Sequence, residues 1–268
     1  MNTLITGSSG FIGSHLIQLL KDQHNVKLLE GDLRYEIRKD YKADIIIHLA
    51  GKTKGNYNEL FKNNVNATLN VLNFCRNSKS KVIFASTVRV YGEPRYLPVD
   101  ENHQINPIND YSKTKLEAEK LCEEFSEQYG IETIVLRLSN VYGSGQKKSF
   151  LIPRIIDAVK NDSKLVLTNP KMVRDYVYID DVCNAFLKSI KHKADFEIFN
   201  ISYNLGTSIE KLVKTISILS GKKINVEYAV AKTGEIIESV VDNTKAKNIL
   251  GWAPKIDLKY GLSYLLTS

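Results

Sequence analysis

Apolar residues along this chain follow two alternating rhythms. Short apolar runs read as buried strands: Leu4-Ile5-Thr6, Asn25 to Glu30, Asp44-Ile45-Ile46-Ile47-His48, Lys81-Val82-Ile83-Phe84-Ala85 and Thr133-Ile134-Val135-Leu136-Arg137. Between them, apolar residues recur at helical spacing. Phe11 to Lys21 carries Ile12, Leu16, Leu19 and Leu20; Leu60 to Cys75 carries Leu69, Leu72 and Phe74; Tyr111 to Tyr129 is the longest such stretch. This alternation predicts an α/β fold with a parallel sheet covered on both faces. After about Val141 the rhythm breaks into shorter pieces, with one return to a buried pattern at Tyr176 to Ile190. A large unit over 1–141 plus about 179–200 is expected, with a smaller discontinuous unit over about 142–178 and 201–268.

The turn after the first strand carries chemistry. Thr6-Gly7-Ser8-Ser9-Gly10-Phe11-Ile12-Gly13 places glycines 7, 10 and 13 between a strand and a helix. Gly7 and Gly10 let backbone approach a pyrophosphate, Phe11 and Ile12 open the helix beside it, and Gly13 packs that helix on the sheet. This is the mark of a Rossmann-type doubly wound sheet that binds NAD or NADP. Its ligand belongs beyond the carboxyl ends of the strands, where Leu49-Ala50-Gly51 also falls. The second strand should end in an acid for the adenosine ribose. Glu30, 17 residues after Gly13, is the first candidate and Asp32, followed by Leu33, the second. An acid there points to NAD, whereas Arg34 stands near enough to meet the 2′-phosphate of NADP.

Tyr111 and Lys115 lie four residues apart, so on a helix they face the same way. A nearby ammonium favours the phenolate and is expected to lower the Tyr111 pKa. Such a phenol moves protons to and from an alcohol oxygen while a dinucleotide exchanges the matching hydride.

The ordered set of motifs resembles the extended short-chain dehydrogenase/reductase family of nucleotide-sugar epimerases, dehydratases and 4-ketoreductases. The matching segments are Thr6 to Gly13, His48 to Gly51, Asn64 to Thr68, Ser86 to Gly92, Tyr111 to Lys115, Leu136 to Gly143, Arg174 to Asp181, Phe199 to Ile201 and Leu250 to Pro254. The resemblance implies that Tyr111 is the catalytic acid or base and that Lys115 bonds the nicotinamide ribose. It implies that Thr87 bonds the reacting sugar oxygen, with Ser86 supporting the strand end. Asn140 and Arg174 resemble residues that hold the substrate's diphosphate, a task that suits a guanidinium. Asn64 is expected to tie a helix to the sheet, and Asp181 to cap the helix that follows it.

Departures from the family narrow the chemistry. Family dehydratases carry Asp-Glu after this Thr; the chain has Val88-Arg89, which argues against elimination of water. Arg89 is two residues beyond Thr87 and is a substrate-binding candidate, weighed against a surface ion pair with Glu93 or Asp100. The stretch from Glu30 to His48 is short, as if one strand-helix unit were absent. Lys232-Thr233-Gly234-Glu235 stands where the family has an Arg before Gly-Asp. The expected activity is oxidoreduction at C4 of a nucleotide-linked hexose, with a reductase of 4-keto-6-deoxy sugars placed first. An NAD-dependent 4-epimerase is the alternative, and a regulator that binds dinucleotide without catalysis is a reading from another class.

Composition changes little. Hydrophobic content of 43% supports an ordinary core, and no apolar run reaches the roughly 18 residues of a membrane span. The net charge of +7 comes from lysines spread along the chain, which argues against nucleic acid. Cys75, Cys122 and Cys183 have no metal-ligand spacing, so no metal is expected and a reduced cytoplasmic setting is. His48 is expected in the core and His103 in solvent. A homodimer through the Leu60 to Cys75 and Tyr111 to Tyr129 helices is expected from the resemblance.

Overall fold

The structure is a computed structural model describing residues 1–21, 25–29, 31–35, 37, 41–229 and 236–267. In chain order the first half gives β1 (Asn2–Thr6), α1 (Phe11–Leu20), β2 (Asn25–Leu28), β3 (Ile45–His48), α2 (Tyr57–Phe61), α3 (Ala67–Ser78), β4 (Lys81–Thr87), α4 (Asp110–Tyr129) and β5 (Thr133–Leu138). A π-helical turn, Lys62–Asn66, joins α2 to α3. There follow β6 (Asn140–Tyr142), α5 (Leu151–Asn161), β7 (Leu165–Thr168), β8 (Val173–Tyr178), α6 (Ile179–Lys191), β9 (Phe196–Ile201) and β10 (Gly206–Ser208). The chain closes with α7 (Ile209–Ser220), β11 (Val226–Ala229), β12 (Glu238–Ser239) and α8 (Leu258–Thr267). Among the described residues no helix is long and apolar enough to cross a membrane.

Six strands form one sheet in the order β2-β1-β3-β4-β5-β9, every pairing parallel. Helices cover both faces, so β3 and β5 are buried along their whole length instead of alternating. Burying each large side chain such as Ile5, Ile46 or Phe84 contributes about 1.5–3 kcal/mol. The order reverses between β1 and β3. The crevice for a dinucleotide therefore opens beyond Thr6 and His48, which pair in register.

A doubly wound sheet ordinarily carries one more strand outside β2. Among the described residues none stands there, and β2 is an edge strand with Leu28 exposed. This agrees with the short stretch between Glu30 and His48. Glu30 itself lies outside the described residues, as do Lys232 to Glu235.

The second half builds two small sheets, β10-β8-β12 with β6 on β8, and β11-β7. Two buried carboxylates tie them down. Asp175 on β8 accepts from the backbone of Tyr203 (2.9 Å) and Asn204 (3.0 Å). Asp181 does not cap a helix. It sits inside the first turn of α6, and its carboxylate turns outward to accept from the backbone N–H groups of Lys255 (3.0 Å) and Ile256 (2.9 Å). Its own carbonyl accepts from the indole of Trp252. The residue thereby fastens the C-terminal segment to α6.

Candidate active site

The cofactor cradle is built by backbone. Gly7 has φ +68, a left-handed conformation, and a Cβ there would meet Ala50 N at 2.6 Å. A Cβ on Gly13 would meet Gly7 O at 2.4 Å, so only glycine lets α1 sit this close to the turn. Gly10 begins α1 in extended conformation with no side-chain cap, which leaves the first N–H groups for an anion. Gly7, Ser8, Asp32, Leu33, Ala50 and Gly51 are among the residues lining a cavity of about 440 Å³ over this crevice. A narrow glycine cradle facing free helix-end donors fits a dinucleotide pyrophosphate. Gly10, Phe11, Ile12, Gly13 and Leu49 are not among the residues lining the cavity. Phe11 approaches Gly143 and His15, and Leu49 packs against the core. Asp32 is engaged by Arg34, whose guanidinium holds the carboxyl down at about 2. The arginine foreseen as a partner of a 2′-phosphate is thus already paired, on the open side of the cavity.

The reacting end lies at the carboxyl end of β4. Thr87 accepts a hydrogen bond from Arg89 N (3.3 Å), which caps the 3-10 turn Val88–Tyr91 and orients the hydroxyl. Asn109 and Ser112 cap the start of α4 reciprocally, fixing Tyr111 in its first turn. The Tyr111 hydroxyl faces the Thr87 hydroxyl closely enough for Thr87 to favour the phenolate. Lys115, one turn on, is buried, with its ammonium 3.9 Å from the centre of the Phe84 ring.

Beside this pair runs a cleft of about 510 Å³. Thr87, Arg89, Asn140 and Arg174 all line it. Asn140 donates to Asp175 O at 3.0 Å. Arg174 holds the backbone carbonyls of Val173 (2.8 Å) and Ile236 (2.8 Å). The sequence-predicted substrate residues thus share one wall system. The reading missed Lys54, Phe150 and Met172, which line the cleft from loops and carry no motif.

A family model of the NAD dependent epimerase/dehydratase family matches residues 3–202. The chain belongs to that family. A Methanocaldococcus jannaschii protein provisionally named UDP-glucose 4-epimerase is 33% identical over 293 aligned residues, covering 97% of this chain and 95% of that one. The UDP-glucose 4-epimerase of Thermotoga maritima, solved with UDP-glucose, superposes with a TM-score of 0.93 at 27% identity, covering 100% and 98% of the two chains. MoeE5, solved with UDP-glucuronic acid and NAD, gives 0.92 at 25% identity, covering 98% and 97%.

The phenol and the lysine sit in an electrostatic setting different from the one their spacing suggests. Burial pushes the Tyr111 hydroxyl up, and the cation that opposes this is Arg89, with the Thr87 hydroxyl adding to it. Lys115 was expected in that role. Its ammonium instead lies over Phe84 and is pushed down to about 8 by burial, with Glu119 opposing. Glu119, a turn beyond Lys115, takes Arg137 Nη2 at 2.6 Å and also accepts from Ser86. Arg137 in turn donates to the Tyr91 hydroxyl at 3.0 Å. This buried network lies beneath Thr87, and Ser86 supports the strand end as the resemblance implied.

The remaining polar residues have structural partners. Asn64 accepts from Lys52 N (2.7 Å) and donates to Thr114 (3.0 Å), joining the loop after β3 to α4. His48 bridges Thr6 (2.7 Å) and Thr68 (3.0 Å) in the core, where burial pushes it down to about 3. His103 is not in solvent. It is 3% exposed, accepts from Arg95 N (2.9 Å) and donates to Gln104 O (2.7 Å). Its ring lies between Tyr91 and Tyr96, which exclude water from a loop the sequence alone marks as polar.

Proposed function

We propose that this chain is an NAD-dependent 4-epimerase of a nucleotide-linked hexose. The observation that carries this reading is the facing pair of Thr87 and Tyr111 beside a cleft whose wall has Val88-Arg89 and, among the described residues, no acid. The relatives named for 4-epimerisation support the epimerase alternative over the 4-ketoreductase placed first from sequence. NAD, when bound, accepts a hydride and returns it within one turnover, so no net oxidation results.

The chain's own groups manage the proton. Thr87 holds the C4 oxygen, and Tyr111 takes its proton as C4 becomes a ketone. When the ring presents its other face, Tyr111 gives the proton back to an alcohol of inverted configuration. Arg89 favours the phenolate during the interval. Elimination of water needs an acid and a base at the C5–C6 side. A guanidinium is no general base and the Val88 side chain is inert, so the ketone persists until it is reduced. Asn140 and Arg174 hold the diphosphate, and Gly7, Gly13, Asp32 and Ala50 hold the dinucleotide.

The nucleotide released by denaturing the purified protein tests this reading. An epimerase retains NAD, because its cofactor is regenerated in place. Protein that is empty, consumes NADPH in step with turnover and leaves no epimer would return the 4-ketoreductase reading.

A further inference from the structure

The cleft carries more positive charge than a neutral hexose can answer. Lys54, Arg89 and Arg174 line it, and no aspartate or glutamate does among the described residues. These cations are not equivalent. Arg174 lies two strands away from Thr87, by way of the pairings of Thr87 with Leu138 and of Asn140 with Tyr176. That is a fitting separation for a diphosphate at Arg174 and a sugar ring at Thr87.

Arg89 belongs to the sugar end. It is exposed into the cleft, two residues beyond Thr87 and near enough to Tyr111 to bias its ionisation. The surface pair weighed from the sequence does not form. Asp100 is taken by the Tyr96 hydroxyl and its own turn, and Arg89 has no ion-pair partner among the described residues. A guanidinium exposes five donors and asks for a planar acceptor. Sugar hydroxyls satisfy it weakly; a carboxylate satisfies it by two parallel bonds.

We infer that the preferred substrate carries a carboxylate on the hexose, a nucleotide-linked uronic acid, and that Arg89 is the residue that selects it. This rests on the epimerase reading above and names the substrate within it. The carboxylate projects from the ring beside the reacting carbon, toward the wall that holds Arg89. Val88, with no hydrogen-bonding atom, leaves Arg89 as the polar group on that turn. The carboxylate takes no part in bond making; hydride and proton move at C4 as before. Binding such an anion also offsets the charge that Arg89 lends Tyr111, so a neutral sugar and a uronate should differ in the pH dependence of kcat/KM.

The test uses the NAD-loaded protein with UDP-glucuronate and UDP-glucose as probes. Epimerisation at C4 is followed by NMR, and dissociation constants are taken by calorimetry. The wild type is expected to favour UDP-glucuronate about tenfold or more in kcat/KM, the usual worth of a charge-assisted hydrogen-bonded pair. Arg89→Gln should lower turnover of both sugars, because it also removes the charge that favours the Tyr111 phenolate. It should lower UDP-glucuronate by the larger factor and bring the two to parity in kcat/KM and in dissociation constant, and Arg89→Lys should keep part of the preference. Equal kinetics for both sugars in the wild type, or an equal loss of both in Arg89→Gln, overturns the inference and leaves the epimerase reading standing. Binding of neither nucleotide sugar overturns both. Misfolding is excluded by an unchanged melting temperature and unchanged NAD content in the variant.

Discussion

Glu119 and Arg137 share a buried ion pair with a closest approach of 2.6 Å, directly under the strand that ends in Thr87. Both side chains are almost wholly removed from water. Such a pair adds little over an apolar replacement of both partners, but losing one partner strands the other charge. Lys115 lies one turn from Glu119, so the network also sets the field around the site's lysine.

Arg137→Met should therefore destabilise the protein by about 3 kcal/mol, at the low end for a broken buried pair because Lys115 partly compensates Glu119. The double variant Arg137→Met with Glu119→Gln should recover part of that loss. Urea unfolding of the three proteins measures both effects. An additive double variant would mean the two residues are not coupled.

Lys115 should trade stability for function. Its pKa is pushed down to about 8 by burial, so in the folded protein it holds its proton less tightly than in the unfolded chain. Between about pH 8 and 10.4 the unfolded state binds more protons, and stability rises with pH. Below about 8 the penalty is present in full. Lys115→Met should abolish turnover and raise the melting temperature at pH 7, by about 2–4 °C for each kcal/mol recovered. The gain should shrink as the pH passes 8 and vanish above about 10.4. A variant less stable than wild type at pH 7 would contradict this.

Tyr111→Phe should lower turnover by about 10²–10⁴-fold while NAD content and melting temperature stay near wild type. Thr87→Val should reduce kcat less, since it removes an orienting hydroxyl and not the proton carrier. If Tyr111→Phe turns over normally, another group moves the proton.

Gly13→Ala should abolish NAD retention. The added Cβ meets Gly7 O at 2.4 Å, so α1 must withdraw from the turn that cradles the pyrophosphate. Cofactor content read by absorbance after denaturation checks it; full NAD content would show that the helix moves freely.

Most of the sheet was legible because its strands are short β-branched runs, such as Ile45-Ile46-Ile47, which nothing but burial explains. Tyr111 with Lys115 and the glycines at 7, 10 and 13 were legible because their spacing carries their mechanism. What escaped depends on contacts between distant residues. His103 reads as a loop histidine, and only the rings of Tyr91 and Tyr96 make it a buried one. Asp181 reads as a cap because acids commonly start helices; its true partners lie 74 and 75 residues away. The cation that favours the Tyr111 phenolate was sought in Lys115, since helix spacing is visible in a sequence and the approach of Arg89 from the turn after β4 is not.

The fate of hydrogen at C4 tests the proposed chemistry most directly. Substrate deuterated at C4, either UDP-glucose or UDP-glucuronate, is incubated in ordinary water with the NAD-loaded protein. The expected product is the C4 epimer with the deuterium retained at C4, formed without net production of NADH. Deuterium lost to solvent, a 4-keto-6-deoxy sugar in the product, or turnover only with stoichiometric NADPH would contradict epimerisation through a transient 4-ketone at Tyr111.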